Sequence, residues 1–151
     1  DFGIVHRDLK SPNILIDQEN NPVIIDLGFG KAINQPRPQS THLLSMKYSK
    51  SMKLTDGAKG TALWSPPEMT RDCAWSDKTD IYSLGIVIWE IFSRTLPFSH
   101  LDELSIESLQ DLVQNGERPT IDETWDPGFV ALIRACWDHD PIKRPSSRDL
   151  V

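Results

Sequence analysis

The chain has 151 residues, a formal net charge of −6 and 38% hydrophobic residues, which suits one domain with its own core. The acidic balance removes the electrostatic case for nucleic acid or an anionic membrane surface as a partner. No apolar stretch is long enough for a membrane span, since the run 81–92 is short and holds Glu90 inside it. Cys73 and Cys136 stand far apart, outside any paired metal-ligand spacing, so two reduced thiols in an intracellular, cytoplasmic setting are expected. The chain begins with Asp1 rather than Met, shows no apolar signal segment, and is expected to be part of a longer protein.

In chain order, residues 1–32 hold short apolar runs broken by polar turns. Ile14-Leu15-Ile16 and Val23-Ile24-Ile25 read as two short buried strands. Asp17, Asn20, Asn21 and Pro22 between them supply turn chemistry, so the pair is predicted to form a small hairpin. Residues 33–59 lack periodicity and are rich in Ser, Thr, Lys and Pro, which predicts a long loop. From Gly60 onward the pattern is helical. Residues 77–93 carry apolar side chains nearly all round, predicting a central buried helix with Ser76 as N-cap and Pro97 as terminator. A second helix is predicted over 101–113, stopped by Gly116. A third is predicted over 129–137, led in by Asp126-Pro127-Gly128, and a fourth starts at Pro145.

The chemistry concentrates in His6-Arg7-Asp8-Leu9-Lys10-Ser11-Pro12-Asn13, followed after the hairpin by Asp26-Leu27-Gly28. Phosphoryl transfer to a hydroxyl needs a proton acceptor, a cation near the transferring phosphate, and oxygen ligands for Mg²⁺. Asp8, Lys10, and the pair Asn13 and Asp26 supply these three. Asn13 precedes the first strand and Asp26 follows the second, so a hairpin brings both to one end.

Here the sequence resembles the eukaryotic protein kinases. The segment 6–13 looks like their catalytic loop, and Asp26-Leu27-Gly28 looks like their metal-binding tripeptide. Gly60-Thr61-Ala62-Leu63-Trp64-Ser65-Pro66-Pro67-Glu68 resembles the end of the activation segment, with Pro66 where Ala is usual. Asp80-Ile81-Tyr82-Ser83-Leu84-Gly85 resembles the start of the central helix. Cys136-Trp137-Asp138-His139-Asp140-Pro141 with Lys143-Arg144-Pro145 resembles a late motif of the same lobe. Five motifs in the family's order cover essentially the whole chain. Asp1-Phe2-Gly3 also spells the metal tripeptide, but it lies before the loop and reads as the end of a preceding helix with its glycine stop.

The resemblance implies a mainly α-helical C-terminal lobe with a small β-hairpin, the whole of 1–151 being a partial kinase domain. It implies ATP and Mg²⁺ as cofactors and a protein as substrate. Asp8 is then the base, Lys10 a phosphate contact, and Asn13 and Asp26 the metal ligands. Lys10 two residues after Asp8, and Thr61, whose hydroxyl can bond Asp8 and Lys10, fit serine/threonine kinases; the loop Lys10-Ser11-Pro12-Asn13, the position of Trp64 and the motif 136–141 look most like the tyrosine-kinase-like group. His6 and Leu27 are expected to pack in a spine between lobes. Asp80 is expected to accept backbone N–H bonds from the loop, and Glu68 and Arg144 to form a long-range ion pair. Arg7 is a candidate receiver for a phosphate on the activation segment. The Gly-rich loop and strand lysine of a complete kinase are absent from these residues, so the fragment alone is expected to be inactive. The competing reading is a pseudokinase or scaffold lobe, which would need none of Asp8, Lys10, Asn13 and Asp26.

Overall fold

A computed structural model describes residues 3–32, 61–69, 76–101 and 105–150. The expected loop over 33–59 and Cys73 lie outside them.

Among the described residues the β structure is two small antiparallel pairs. Strands β1 (Ile4–Val5) and β4 (Lys31–Ala32) pair with Ile4 opposite Ala32. Strands β2 (Ile14–Ile16) and β3 (Pro22–Ile24) form the hairpin, with Leu15 opposite Val23. Asp17 builds the hairpin turn: its Oδ1 accepts the backbone N–H of Glu19 at 2.9 Å and of Asn21 at 2.8 Å. These bonds, made to the ionised carboxylate, hold its pKa below the usual value.

The strands are not buried, contrary to the expectation. Leu15, Ile16, Val23 and Ile24 are all exposed. An apolar run reports a face that favours burial, not the layer that covers it, and no such layer is present among the described residues.

Helix α1 (Asp77–Ser93) begins at Ser76, whose extended backbone marks the N-cap. Ser76 N–H donates to Thr79 Oγ1, and Asp77 and Asp80 sit in the first turn, where carboxylates suit the helix dipole. The helix ends at Arg94, which turns left-handed with φ 56°, three residues before the expected terminator Pro97.

Helix α2 (Ile106–Gln114) starts later than the predicted 101 because Ser105 caps it, its Oγ accepting Ser108 N–H at 3.1 Å. The chain leaves α2 through Gly116 at φ 98°, and Glu117 N–H closes onto Leu112 O, a left-handed stop that favours glycine. Helix α3 (Pro127–Cys136) is capped by Asp126, whose carboxylate accepts Gly128 and Phe129 N–H. The predicted fourth helix shows a turn in which Asp149 Oδ2 accepts both Ser146 N–H and Oγ–H at 2.7 Å.

The core lies between α1, α2 and α3. Tyr82, Ile86, Val87 and Trp89 of α1 meet Leu109 and Val113 of α2 and Ile133 and Trp137 at α3. Ala62 and Trp64 from the segment 61–69 join the same cluster. At the crossing of α1 and α3 Gly85 allows close approach: a Cβ there would lie 2.8 Å from Cys136 Cβ. The architecture is mainly helical with a small hairpin, and it sets β1, the hairpin mouth and segment 61–69 along α1 between Asp80 and Glu90.

Candidate active site

The loop 6–13 is fastened to α1 through Asp80. Its Oδ2 accepts His6 N–H at 2.6 Å and its Oδ1 accepts Arg7 N–H at 2.9 Å. Burial pushes the Asp80 carboxyl above its ordinary value, while the two backbone donors pull it back. These bonds hold a turn that costs backbone strain, since Arg7 has φ 70°. Burial lowers the Arg7 guanidinium, opposed by the Asp80 charge. His6 is buried, and its Nε2 lies 2.9 Å from Ile25 O, linking loop to hairpin.

Past that turn, four polar side chains converge. Lys10 Nζ lies 2.9 Å from Asp8 Oδ2 and donates to Thr61 Oγ1 at 2.9 Å. Asn13 Nδ2 donates to Asp8 O at 2.8 Å and to Asp8 Oδ2 at 3.1 Å. Asp8 and Asn13 are both buried. A 3-10 turn over Ser11–Asn13, with Pro12 at its second position, aims Asn13 back at Asp8. One oxygen of Asp8 is thus engaged by two donors, whereas Oδ1 is buried with no partner among the described residues.

Asp26 arrives from the other side of the hairpin. Ile25 N–H donates to Asn13 O at 2.9 Å, which pins the residue before Asp26 beside Asn13. Asp26 itself is left-handed (φ 62°, ψ 59°) and exposed, and its Oδ1 accepts Gly28 N–H at 3.4 Å. The structure therefore gathers Asp8, Lys10, Asn13 and Thr61 in direct contact and sets Asp26 at the same end of the hairpin. Asn13 uses its amide nitrogen on Asp8, leaving an amide oxygen; Asp26 offers an exposed carboxylate. One amide and one carboxylate oxygen are the hard donors Mg²⁺ takes, with water completing its shell.

Two expected contributors behave differently from one another. Glu68 and Arg144 form a bidentate pair with both N–O distances 2.7 Å. Arg144 is buried and also donates to the carbonyls of Asp138 and Lys78. Leu27, expected to pack in a spine between lobes, is 56% exposed. Asp1 and Phe2 fall outside the described residues, while Gly3 is left-handed at φ 56°, the conformation of a helix stop.

A family model for the protein kinase domain matches residues 1–151. The chain belongs to the protein kinase family. This kinase chain is 34% identical over 99% of its length to a "Probable serine/threonine-protein kinase" of Dictyostelium discoideum, covering 14% of that protein. It is 37% identical over 97% of its length to the "Dual specificity protein kinase shkC" of the same organism, covering 26% of it. It is 33% identical over 98% of its length to "Dual specificity protein kinase shkD", covering 18%. The kinase chain thus spans about a quarter or less of these relatives.

Ser11, Trp64 and Glu90 form a further contact set that no motif spacing joins. Glu90 lies on α1 and accepts from both of the others. The available signal was a carboxylate set inside an otherwise apolar helix run.

Proposed function

We propose that this chain is the C-terminal lobe of an active protein serine/threonine kinase that transfers the γ-phosphoryl group of ATP to Ser or Thr hydroxyls of a protein substrate. The observation that carries the reading is the asymmetry of Asp8. Lys10 and Asn13 hold Oδ2, while Oδ1 is buried with no hydrogen-bond partner among the described residues. A carboxylate fixed by one oxygen keeps the other unspent, an acceptor for a hydroxyl proton once a substrate reaches it. Lys10, steadied by Thr61, places an ammonium where phosphate charge develops. Asn13 and Asp26 would hold Mg²⁺, which when bound neutralises charge on the phosphates. Arg7, at the strained turn, is the group on which a phosphorylated activation segment would dock.

The intact set Asp8, Lys10, Asn13 and Asp26 favours this reading over a scaffold lobe. Serine/threonine preference rests on Lys10 and Thr61, the tyrosine-kinase-like grouping on the loop 10–13, Trp64 and the motif 136–141, and the relatives named dual specificity make acceptor preference part of the test. No helix among the described residues is long and apolar enough to cross a membrane, and a cytoplasmic site of action is part of the proposal.

In the full-length protein, Asp8→Asn is expected to lower phosphate transfer from labelled ATP to a generic protein acceptor by about 10²–10⁴-fold, the usual range of a general-base effect. Phosphoamino-acid analysis of the product is expected to show Ser and Thr. The 151 residues alone are expected to transfer nothing. Undiminished transfer by Asp8→Asn would overturn the assignment.

A further inference from the structure

Glu90 stands on α1 two helical turns beyond Ser83, on the same face. Its Oε1 accepts Ser11 Oγ–H at 2.9 Å and its Oε2 accepts the Trp64 indole N–H at 3.2 Å. Among the described residues no ammonium or guanidinium lies within ion-pair distance of it. A half-buried carboxylate normally pairs with a cation or faces water. This one is instead spent on two neutral donors from two different segments.

Both donors sit next to the chemistry. Ser11 follows Lys10 directly and opens the 3-10 turn that presents Asn13. Trp64 lies one short turn after Thr61, the residue that receives the Lys10 ammonium. Trp64 is 3% exposed, and its carbonyl accepts Ser83 Oγ–H at 2.9 Å. Helix α1 therefore holds Trp64 at the backbone through Ser83 and at the ring through Glu90. The loop 6–13 and the segment 61–69 are joined twice, once by Lys10 to Thr61 and once by Ser11 to Glu90 to Trp64. A single contact leaves two segments free to pivot; two contacts on the same segments fix their register.

We propose that Glu90 is a positioning residue, whose carboxylate clamps Ser11 and Trp64 together and thereby fixes the Lys10 ammonium between Asp8 and Thr61. The proposal rests on the catalytic reading of Asp8 and Lys10. Glu90 touches no reacting atom; it acts through the geometry of those that do.

Hydrogen-bond chemistry supplies a discriminating pair of variants. In Glu90→Gln the amide oxygen can still accept the Trp64 N–H, and the amide nitrogen can donate to Ser11 Oγ, since a hydroxyl both gives and receives. In Glu90→Leu the size is kept and both bonds are lost.

In the full-length protein, Glu90→Leu is expected to lower kcat by about 10²-fold, the scale of an ångström-level misplacement of catalytic groups, with KM for ATP little changed. Glu90→Gln is expected to stay within a few-fold of the parent. Ser11→Ala, which cuts one arm of the clamp, is expected to lower kcat several-fold at an unchanged melting temperature, and it carries the test if Glu90→Leu melts below the assay temperature. The inference is overturned if Glu90→Leu and Ser11→Ala keep full kcat. It is equally overturned if Glu90→Gln loses as much as Glu90→Leu, which would make charge the requirement. A change confined to KM for the protein acceptor would overturn it too, by making Glu90 a substrate contact. Asp8→Asn run in parallel separates the two levels: an active Asp8→Asn removes the catalytic reading, whereas an inactive one beside an unaffected Glu90→Leu removes only the clamp.

Discussion

Tyr82 lies buried in the core between two guanidinium groups, Arg118 at 5.1 Å and Arg144 at 5.0 Å from its ring centre. Its hydroxyl has no hydrogen-bond partner among the described residues. Burial pushes the phenol up to about 12, with the two arginines pulling weakly the other way. An acid whose pKa is higher folded than unfolded keeps its proton in the native state after the unfolded chain has lost it. Stability then falls as pH rises, here from the unfolded value near 10 to about 12. The two-unit gap corresponds to up to about 3 kcal/mol. Tyr82→Phe removes both the ionisation and an unpaired hydroxyl. It is expected to be nearly neutral at pH 8 and more stable than the parent by a growing margin between pH 10 and 12, read from thermal melts. The Cys136 thiol, raised to about 11 by burial, adds a similar alkaline slope to both proteins and cancels in the comparison.

At the scale of elements, the closest approach is that of α1 and α3. Gly85→Ala would gain about 1 kcal/mol of helix propensity. It would also place a Cβ 2.8 Å from Cys136 Cβ and 3.3 Å from Trp137 N. Backbone cannot yield as a flexible side chain can, so overpacking is expected to win, with a net loss of about 1–3 kcal/mol in the denaturant midpoint. What the sequence made legible follows the same division between local and long-range causes. The span of α1 could be read because its cap, its apolar periodicity and its first-turn carboxylates all act within a few residues. The start of α2 could not, because Leu101 has helical spacing but Ser105 offers the cap. The hairpin was readable from its turn residues, although its burial was not, since Ile-Leu-Ile reads the same whether or not a layer covers it. The pairing of β1 with β4 was hidden in two-residue strands that carry no periodicity. In the site, Asp8, Lys10, Asn13 and Asp26 were legible through their spacing. Glu90 was not, because its partners at Ser11 and Trp64 are distant in sequence.

For the molecule as a whole, Arg144 is the point where distant parts meet. Its side chain, 0% exposed, binds Glu68, itself 25% exposed, and the carbonyls of Lys78 and Asp138. Its own carbonyl accepts the Lys78 ammonium at 2.6 Å. Glu68→Ala would leave a buried guanidinium without its counter-charge, a change that costs about 3–5 kcal/mol. The remaining carbonyl acceptors place the expected loss near the lower end, measured by urea unfolding. Glu68→Gln keeps an acceptor and is expected to lose less.

The same contact orders events in time. Glu68 and Arg144 are 76 positions apart, and the chain leaves the ribosome from its N-terminal end at about 5–20 residues per second. The segment bearing Thr61 and Trp64 therefore exists for several seconds before the arginine that anchors Glu68 has been made. During that interval the catalytic loop can already be fastened by Asp80, but the tie between Glu68 and the tail cannot. Synthesis must pass Arg144 before this side of the site is secured, so a nascent chain halted upstream of Arg144 carries the residues 8–26 assigned to the chemistry and lacks the latch beneath them.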